Sequence, residues 1–184
     1  VEMGQGIYAT EAALIAEELE VDLSQVIVEH APPSEQLYQT PFFKSQITGG
    51  STSVRSFYTI LRQVGAAART MLIAAAAEQW HVQPASLKAE SGSVKHADSG
   101  RSATYGELSE AAAKQPTPGL DKVTLKDPKD FRLLGTPFRR VDTAKKVDGS
   151  ATFGIDAHVE GMQVATLALC PHVGGKGAKL DIEA

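Results

Sequence analysis

The 184-residue chain contains one cysteine, Cys170, and that scarcity excludes an internal disulfide framework and any iron–sulfur or metal site built from its own thiolates. It also lacks an excess of one charge. Eighteen Lys and Arg against 22 Asp and Glu leave a formal charge of −4 with the signs interspersed, which argues against a general nucleic-acid or anionic-membrane surface. No run of residues reads as the roughly 20 apolar positions of a membrane span, and the first residues lack the basic, apolar and small-residue order of a signal peptide. The five histidines, His30, His81, His96, His158 and His172, have no helical metal-ligand spacing, so each is expected to be structural or on the surface and none is assigned as a ligand. Cys170 follows an apolar stretch and is expected to be a small buried residue.

What is present is a hydrophobic content of 42 %, enough for one substantial core, or for one domain and part of another. Two glycine-rich turns, Gly4-Gln5-Gly6 and Thr48-Gly49-Gly50-Ser51-Thr52-Ser53, each run directly into a helical pattern. A helix start leaves backbone N–H groups unpaired and adds the positive end of the macrodipole, and glycine lets a ligand approach the main chain. Phosphate is the guest such corners suit. The candidate binding residues are therefore Gly4, Gln5, Gly6, Gly49, Gly50, Ser51, Thr52 and Ser53, with the Gln5 amide able to read a heterocycle edge or a phosphate oxygen. The bland alternatives are glycines that serve only tight turns and a Ser/Thr cap on the second helix.

Apolar spacing predicts a helix from Tyr8 to Leu19, with Glu17 and Glu18 on its solvated side, and Val26-Ile27-Val28 as a buried strand. Ala31 to Phe43 reads as a loop. A second helix, from Val54 to about Trp80, would be roughly 39 Å long at about 1.5 Å per residue; Arg55, Arg62 and Arg69 are expected on its polar face. Leu87–Glu90 and Val94–His96 form a hairpin pattern, and Thr104 with Glu107 makes a capping box for a helix from Tyr105 to Lys114. Beyond Pro116 the sequence becomes polar and extended. Ala151–Ile155 and Met162–Leu169 read as strands of a second sheet, and the alternation at Lys179–Ala184 as a further strand. Val1-Glu2-Met3 is too short for the strand that normally leads a phosphate loop, so a piece of a longer polypeptide is expected. Strands without a covering helix would expose edges and favour a homo-oligomer.

Three motifs in order resemble the molybdopterin-binding large subunit of molybdenum hydroxylases, the xanthine dehydrogenase and aldehyde oxidase family. They are Val1–Tyr8 with Ala16-Glu17-Glu18-Leu19, the Thr48–Ser53 turn, and Arg140-Val141-Asp142 followed by Lys146–Asp156. Within the family, His30-Ala31-Pro32-Pro33 and the alanine-rich long helix most resemble the branch of the isoquinoline 1-oxidoreductase beta subunits. The resemblance implies an α/β (α+β) fold: part of a molybdopterin-binding domain over 1–115, a linker over 116–138, and the incomplete start of an α/β-hammerhead domain over 139–184. It implies a molybdenum–pterin cofactor, often the cytosine dinucleotide, with Gln5 and its glycines at the pterin or its tail and Gly49–Ser53 at phosphate. Implied partners are the rest of the large subunit, a small [2Fe-2S] subunit that accepts electrons, and a small-molecule substrate, with no nucleic acid. The implied reaction hydroxylates an N-heterocycle or an aldehyde with oxygen from water. The family's catalytic glutamate would lie beyond Ala184, so no catalytic residue is assigned, and the periplasm is a plausible location by resemblance. A free-standing phosphate or nucleotide module, and a structural piece without ligand, are the alternatives.

Overall fold

The computed structural model describes residues 1–177. Helix α1, Ile7–Leu19, begins directly after Gly6 and buries Ile7, Ala9, Ala12, Ala13, Leu14 and Ala16. A single helical turn, α2, Glu35–Tyr38, interrupts the proline-containing loop and is capped by the Ser34 hydroxyl. Helix α3, Thr52–Trp80, is the 29-residue spine of the molecule and ends at His81 in the left-handed conformation. Small residues set how closely α1 and α3 meet. A Cβ on Gly65 would lie 2.6 Å from the Ile15 carbonyl oxygen, so glycine there is a steric requirement.

Strands β1, Leu87–Glu90, β2, Ser93–His96, and β3, Arg101–Thr104, form one antiparallel sheet in the order β1-β2-β3. Leu87 pairs with His96 and Val94 with Ala103, which turns Leu87, Ala89 and Val94 toward α3. Helix α4, Tyr105–Ala112, starts at the expected capping box, in which the Thr104 hydroxyl accepts from the Glu107 N–H and Glu107 takes the Thr104 N–H at 2.7 Å. Leu72, Ala75, Ala76 and Ala77 of α3 pack with Leu87, Val94, Leu108 and Ala112 to make the core. Tyr105 ties this layer to α1 by donating to the Leu19 carbonyl at 2.7 Å, and burial pushes its phenol up to about 12.

Strand β3 escapes sequence reading because Arg101-Ser102-Ala103-Thr104 has no apolar alternation; its pairing with β2 creates it. Val26–Val28, expected as a buried strand, stays unpaired with Ile27 87 % exposed. Ala151–Ile155 and Met162–Leu169 likewise form no strands, since no edge pairs with them among the described residues and a strand without a ladder has no stability of its own. A short helix, α5, Thr143–Val147, precedes them. Cys170, expected to be buried, is exposed. The strand pattern at Lys179–Ala184 lies outside the described residues.

Helix α3 is long and apolar enough, by length and composition, to cross a bilayer. It is nevertheless a core helix here, with Gly65, Ala66, Ala67, Leu72 and Ala75 buried against protein and a buried Arg62 in its middle.

The charges expected on solvated faces form a buried clasp instead. Glu17 and Glu18 are 2 % and 0 % exposed, and Arg62 is 7 %. Glu18 receives Arg62 Nε at 2.8 Å and the Lys126 N–H, while the Arg62 guanidinium lies 4.9 Å from the Phe131 ring centre. Glu17 accepts the N–H groups of Arg132, Leu133 and Leu134 and the Lys126 ammonium at 2.5 Å. Burial by itself would raise the Glu17 carboxyl; Lys126 and those three N–H groups outweigh it and hold the group below the usual range. The extended stretch around 124–134 is thereby bound along α1 and α3. A helical charge pattern does not distinguish solvent from such a strap, because Arg62 lies 44 positions from Glu18 and the Lys126 and Leu133 partners more than 100 positions away.

Candidate functional site

Both glycine turns sit at helix starts, and their polar atoms are used in opposite ways. At α1, Gly4 and Gly6 have φ of 107° and 87°, which only glycine adopts easily. The N–H groups of Gly4 and Gly6 donate to Glu2 Oε1 at 2.6 and 3.0 Å, and that of Tyr8 to Oε2 at 3.4 Å. Burial would raise the Glu2 carboxyl, yet the Gly6, Gly4 and Tyr8 N–H groups and Arg140 together hold it below the ordinary range. A carboxylate of the protein itself thus fills the first corner. The Gly4, Gly6 and Tyr8 donors at the start of α1 already hold an anion of the protein itself.

At α3 the Ser51 side chain makes no capping hydrogen bond among the described residues. Ser51, the residue before it, is left-handed at φ 53°, as is Gly50 at φ 57°. A Cβ on Gly49 would meet nothing within 4 Å, so open space faces the turn. Gly50 and Ser51 are exposed, Gly49 is half-buried, and Thr52 and Ser53 are buried. The Thr52 hydroxyl closes the turn by donating to the Gly49 carbonyl at 2.6 Å.

The two corners meet through side chains. Gln5 Nε2 donates to the Thr48 hydroxyl at 3.2 Å and to the Val1 carbonyl at 3.1 Å, and the Thr48 and Ser53 hydroxyls are 2.9 Å apart. The Gln5 carbonyl oxygen accepts from the Met3 N–H at 2.7 Å. Gln5 and Ser53 therefore come together across Thr48 beside the start of α3, with both Gln5 N–H groups already taken, by the Thr48 hydroxyl and the Val1 carbonyl.

Thr48, Glu2 and Arg140 belong to this arrangement although the motifs that contain them gave none of the three a binding role. An acid just before a helix start is a readable sign for Glu2, since carboxylates favour that end of the dipole. Arg140 has no local sign, because it reaches Gly4 across 136 positions.

A cavity of about 620 Å³ lies behind α1, lined by Tyr8, Glu11, Ile15, Ile27, His30 and Leu61 among others. The Tyr8 hydroxyl and His30 Nδ1 are 2.6 Å apart there, and burial, with Glu2 adding to it, pushes the Glu11 carboxyl above the usual range. Its polar wall includes Glu2, Glu11 and Glu29, the wrong charge for a phosphate.

The sequence pattern of the molybdopterin cofactor-binding domain matches residues 1–168. The chain belongs to that family. It is 32 % identical to the isoquinoline 1-oxidoreductase beta subunit of Brevundimonas diminuta, over 98 % of this chain and 27 % of that protein. It is 33 % identical to a membrane-bound aldehyde dehydrogenase [pyrroloquinoline-quinone] of Gluconacetobacter polyoxogenes, over 88 % of this chain and 20 % of the relative. To a nicotinate dehydrogenase subunit of Pseudomonas putida it is 28 % identical, over 95 % and 14 %. The chain thus spans about a quarter or less of these relatives. A long helix over a small sheet is the mixed α/β piece of a molybdopterin-binding domain that its motifs resemble.

Proposed function

We propose that this chain holds the phosphorylated tail of a molybdenum–pterin cofactor on the corner that opens α3, as part of a molybdenum hydroxylase large subunit. The observation that carries this reading is the contact from Gln5 through Thr48 to Ser53 beside a helix start that the Ser51 side chain does not cap. The residues fit the group: space stands over Gly49, and the exposed Gly50 and Ser51 border it at a helix start with no capping hydrogen bond from Ser51. Gly49, Gly50, Ser51 and Ser53 take the phosphate oxygens, Thr52 fixes the turn through the Gly49 carbonyl, and Gln5 exchanges one of its N–H contacts, to Thr48 or to the Val1 carbonyl, for the adjoining pterin or ribose edge. Exposed Arg55, one turn into α3 and 6.0 Å from the centre of the Phe42 ring, adds a positive charge at the same end.

The bound group supplies the redox chemistry. The chain's own residues bind and orient it, with Gly4 and Gly6 shaping the turn that carries Gln5. The favoured cofactor form is the cytosine dinucleotide, whose pyrophosphate matches a donor-lined corner. Isoquinoline and nicotinate, in the names of two relatives, are N-heterocycles, which favours that substrate class over aldehydes, hydroxylated with oxygen from water. Electrons would leave through a [2Fe-2S] subunit, the catalytic base would come from outside this chain, and the periplasm suits such an assembly.

The test is molybdenum and cytidine nucleotide content of the intact subunit, with Gln5→Ala and Ser53→Ala beside the parent. Both variants are expected to lower occupancy together; unchanged content in both would remove the site from this corner.

A further inference from the structure

We infer that Arg140, acting with Glu2, is the positioning residue that sets the Gly4-Gln5-Gly6 turn for the cofactor; this rests on the function proposed above. Within the turn, Gln5 bonds the Met3 N–H and the Val1 carbonyl, but the polar backbone atoms of the two glycines are held from elsewhere. Its two glycines have left-handed backbones, and a Cβ on Gly4 would touch nothing within 4 Å. Charged side chains take its polar atoms instead. Glu2 accepts the Gly4 and Gly6 N–H groups, and Arg140 Nη1 donates to the Gly4 carbonyl at 3.0 Å.

Arg140 is itself anchored. Its Nε and Nη2 donate to the two Asp142 carboxylate oxygens at 2.9 and 2.8 Å, and the Lys146 ammonium backs Asp142 at 2.6 Å. The guanidinium also closes over Gly6, where a Cβ would sit 3.2 Å from Arg140 Cζ. This use of the fork is specific to arginine, because a lysine ammonium cannot bind Asp142 with two parallel bonds and still reach the Gly4 carbonyl. The consequence falls on Gln5, the residue between the held glycines. Its Nε2 meets Thr48 only if the turn keeps its direction. Arg140 therefore acts on the cofactor through Gln5. Arg140 and Asp142 lie on the stretch that leads into α5, and Lys146 within α5, so a segment distant in sequence fixes the first corner.

The experiment uses two readouts. Hydrogen exchange of Gly4–Gly6 is followed in the cofactor-free 184-residue chain, and retention of molybdenum through gel filtration is followed in the intact subunit. Arg140→Met is expected to speed both exchange and cofactor loss by about tenfold, the loss of one charge-assisted hydrogen bond, while exchange in the β1–β3 sheet stays unchanged. Arg140→Lys restores the charge and is expected to recover only part of the retention. Asp142→Asn, which loosens Arg140 without removing it, should act in the same direction and serves if Arg140→Met fails to fold. Faster exchange with unchanged retention would overturn the inference, as would unchanged exchange. If Gln5→Ala and Ser53→Ala also leave retention unchanged, the cofactor site is misplaced. If they lower it and Arg140→Met does not, the positioning role fails alone.

Discussion

The helix starts at α1 and α3 look alike in the sequence, two glycine turns feeding two helices, and they end in opposite electrostatic states. The α1 start is closed by Glu2, a carboxylate already seated on the Gly4 and Gly6 N–H groups. The α3 start has no capping hydrogen bond from Ser51 among the described residues and faces open space at Gly49. A glycine turn before a helix thus defines the capacity for an anion, and the nearest carboxylate decides whether that capacity is available. The closed corner still contributes, because it carries Gln5 into contact with the open one.

The comparison breaks most severely if the two helices lose their docking. Arg62→Met removes the guanidinium that meets Glu18 in the interior, and a buried carboxylate with a partner deleted is expected to cost about 3 kcal/mol, read as a lower urea midpoint. Next in size is Gly65→Ala. Its methyl would press on the Ile15 carbonyl, so α1 must shift from α3 at about 2 kcal/mol, and the Gln5 to Thr48 contact should weaken in parallel. Ser51→Asp makes the open corner resemble the closed one by adding a carboxylate of its own. It should leave the thermal midpoint nearly unaltered while lowering cofactor retention by about tenfold, near 1.4 kcal/mol.

The smallest effect is the pH response of the closed corner. Glu2 has a folded pKa below its ordinary value, so its contribution is complete above that ordinary value and is lost as pH falls through the depressed one. Protection of the Gly4 and Gly6 amides, taken relative to the intrinsic exchange rate at each pH, should therefore fall in acid, and Glu2→Gln should show part of that fall at neutral pH already. Equal protection of these amides in the parent chain and Glu2→Gln at neutral pH would mean that the carboxylate does not hold the turn.

Much of the frame was legible because it depends on local pattern. The long helix, the Leu87–His96 hairpin and the Thr104–Glu107 capping box follow from spacing and turn residues, and the structure has them in place. The misjudged features depend on distant partners. Glu17 and Glu18 read as solvated because a helical charge pattern carries no sign of Arg62, Lys126 and the N–H groups of Arg132–Leu134. Val26–Val28 has strand chemistry but no neighbouring edge among the described residues, and β3 has an edge but no strand chemistry. The site divides the same way: Gly4–Gly6 and Gly49–Ser53 were visible as turns, whereas Thr48 as their bridge and Arg140 as their anchor were not.

By itself the sequence determined the glycine turns, the three longer helices and which residues could offer donors to an anion, because those properties come from backbone freedom and neighbours within a few positions; the short α2 and α5 were not among them. Only the tertiary structure decided which corner stays open, which carboxylates become buried, and that Gln5 meets Thr48 and Ser53. Those outcomes depend on which groups share a small volume after folding, and burial there turns a surface charge pattern into paired ions and hydrogen bonds.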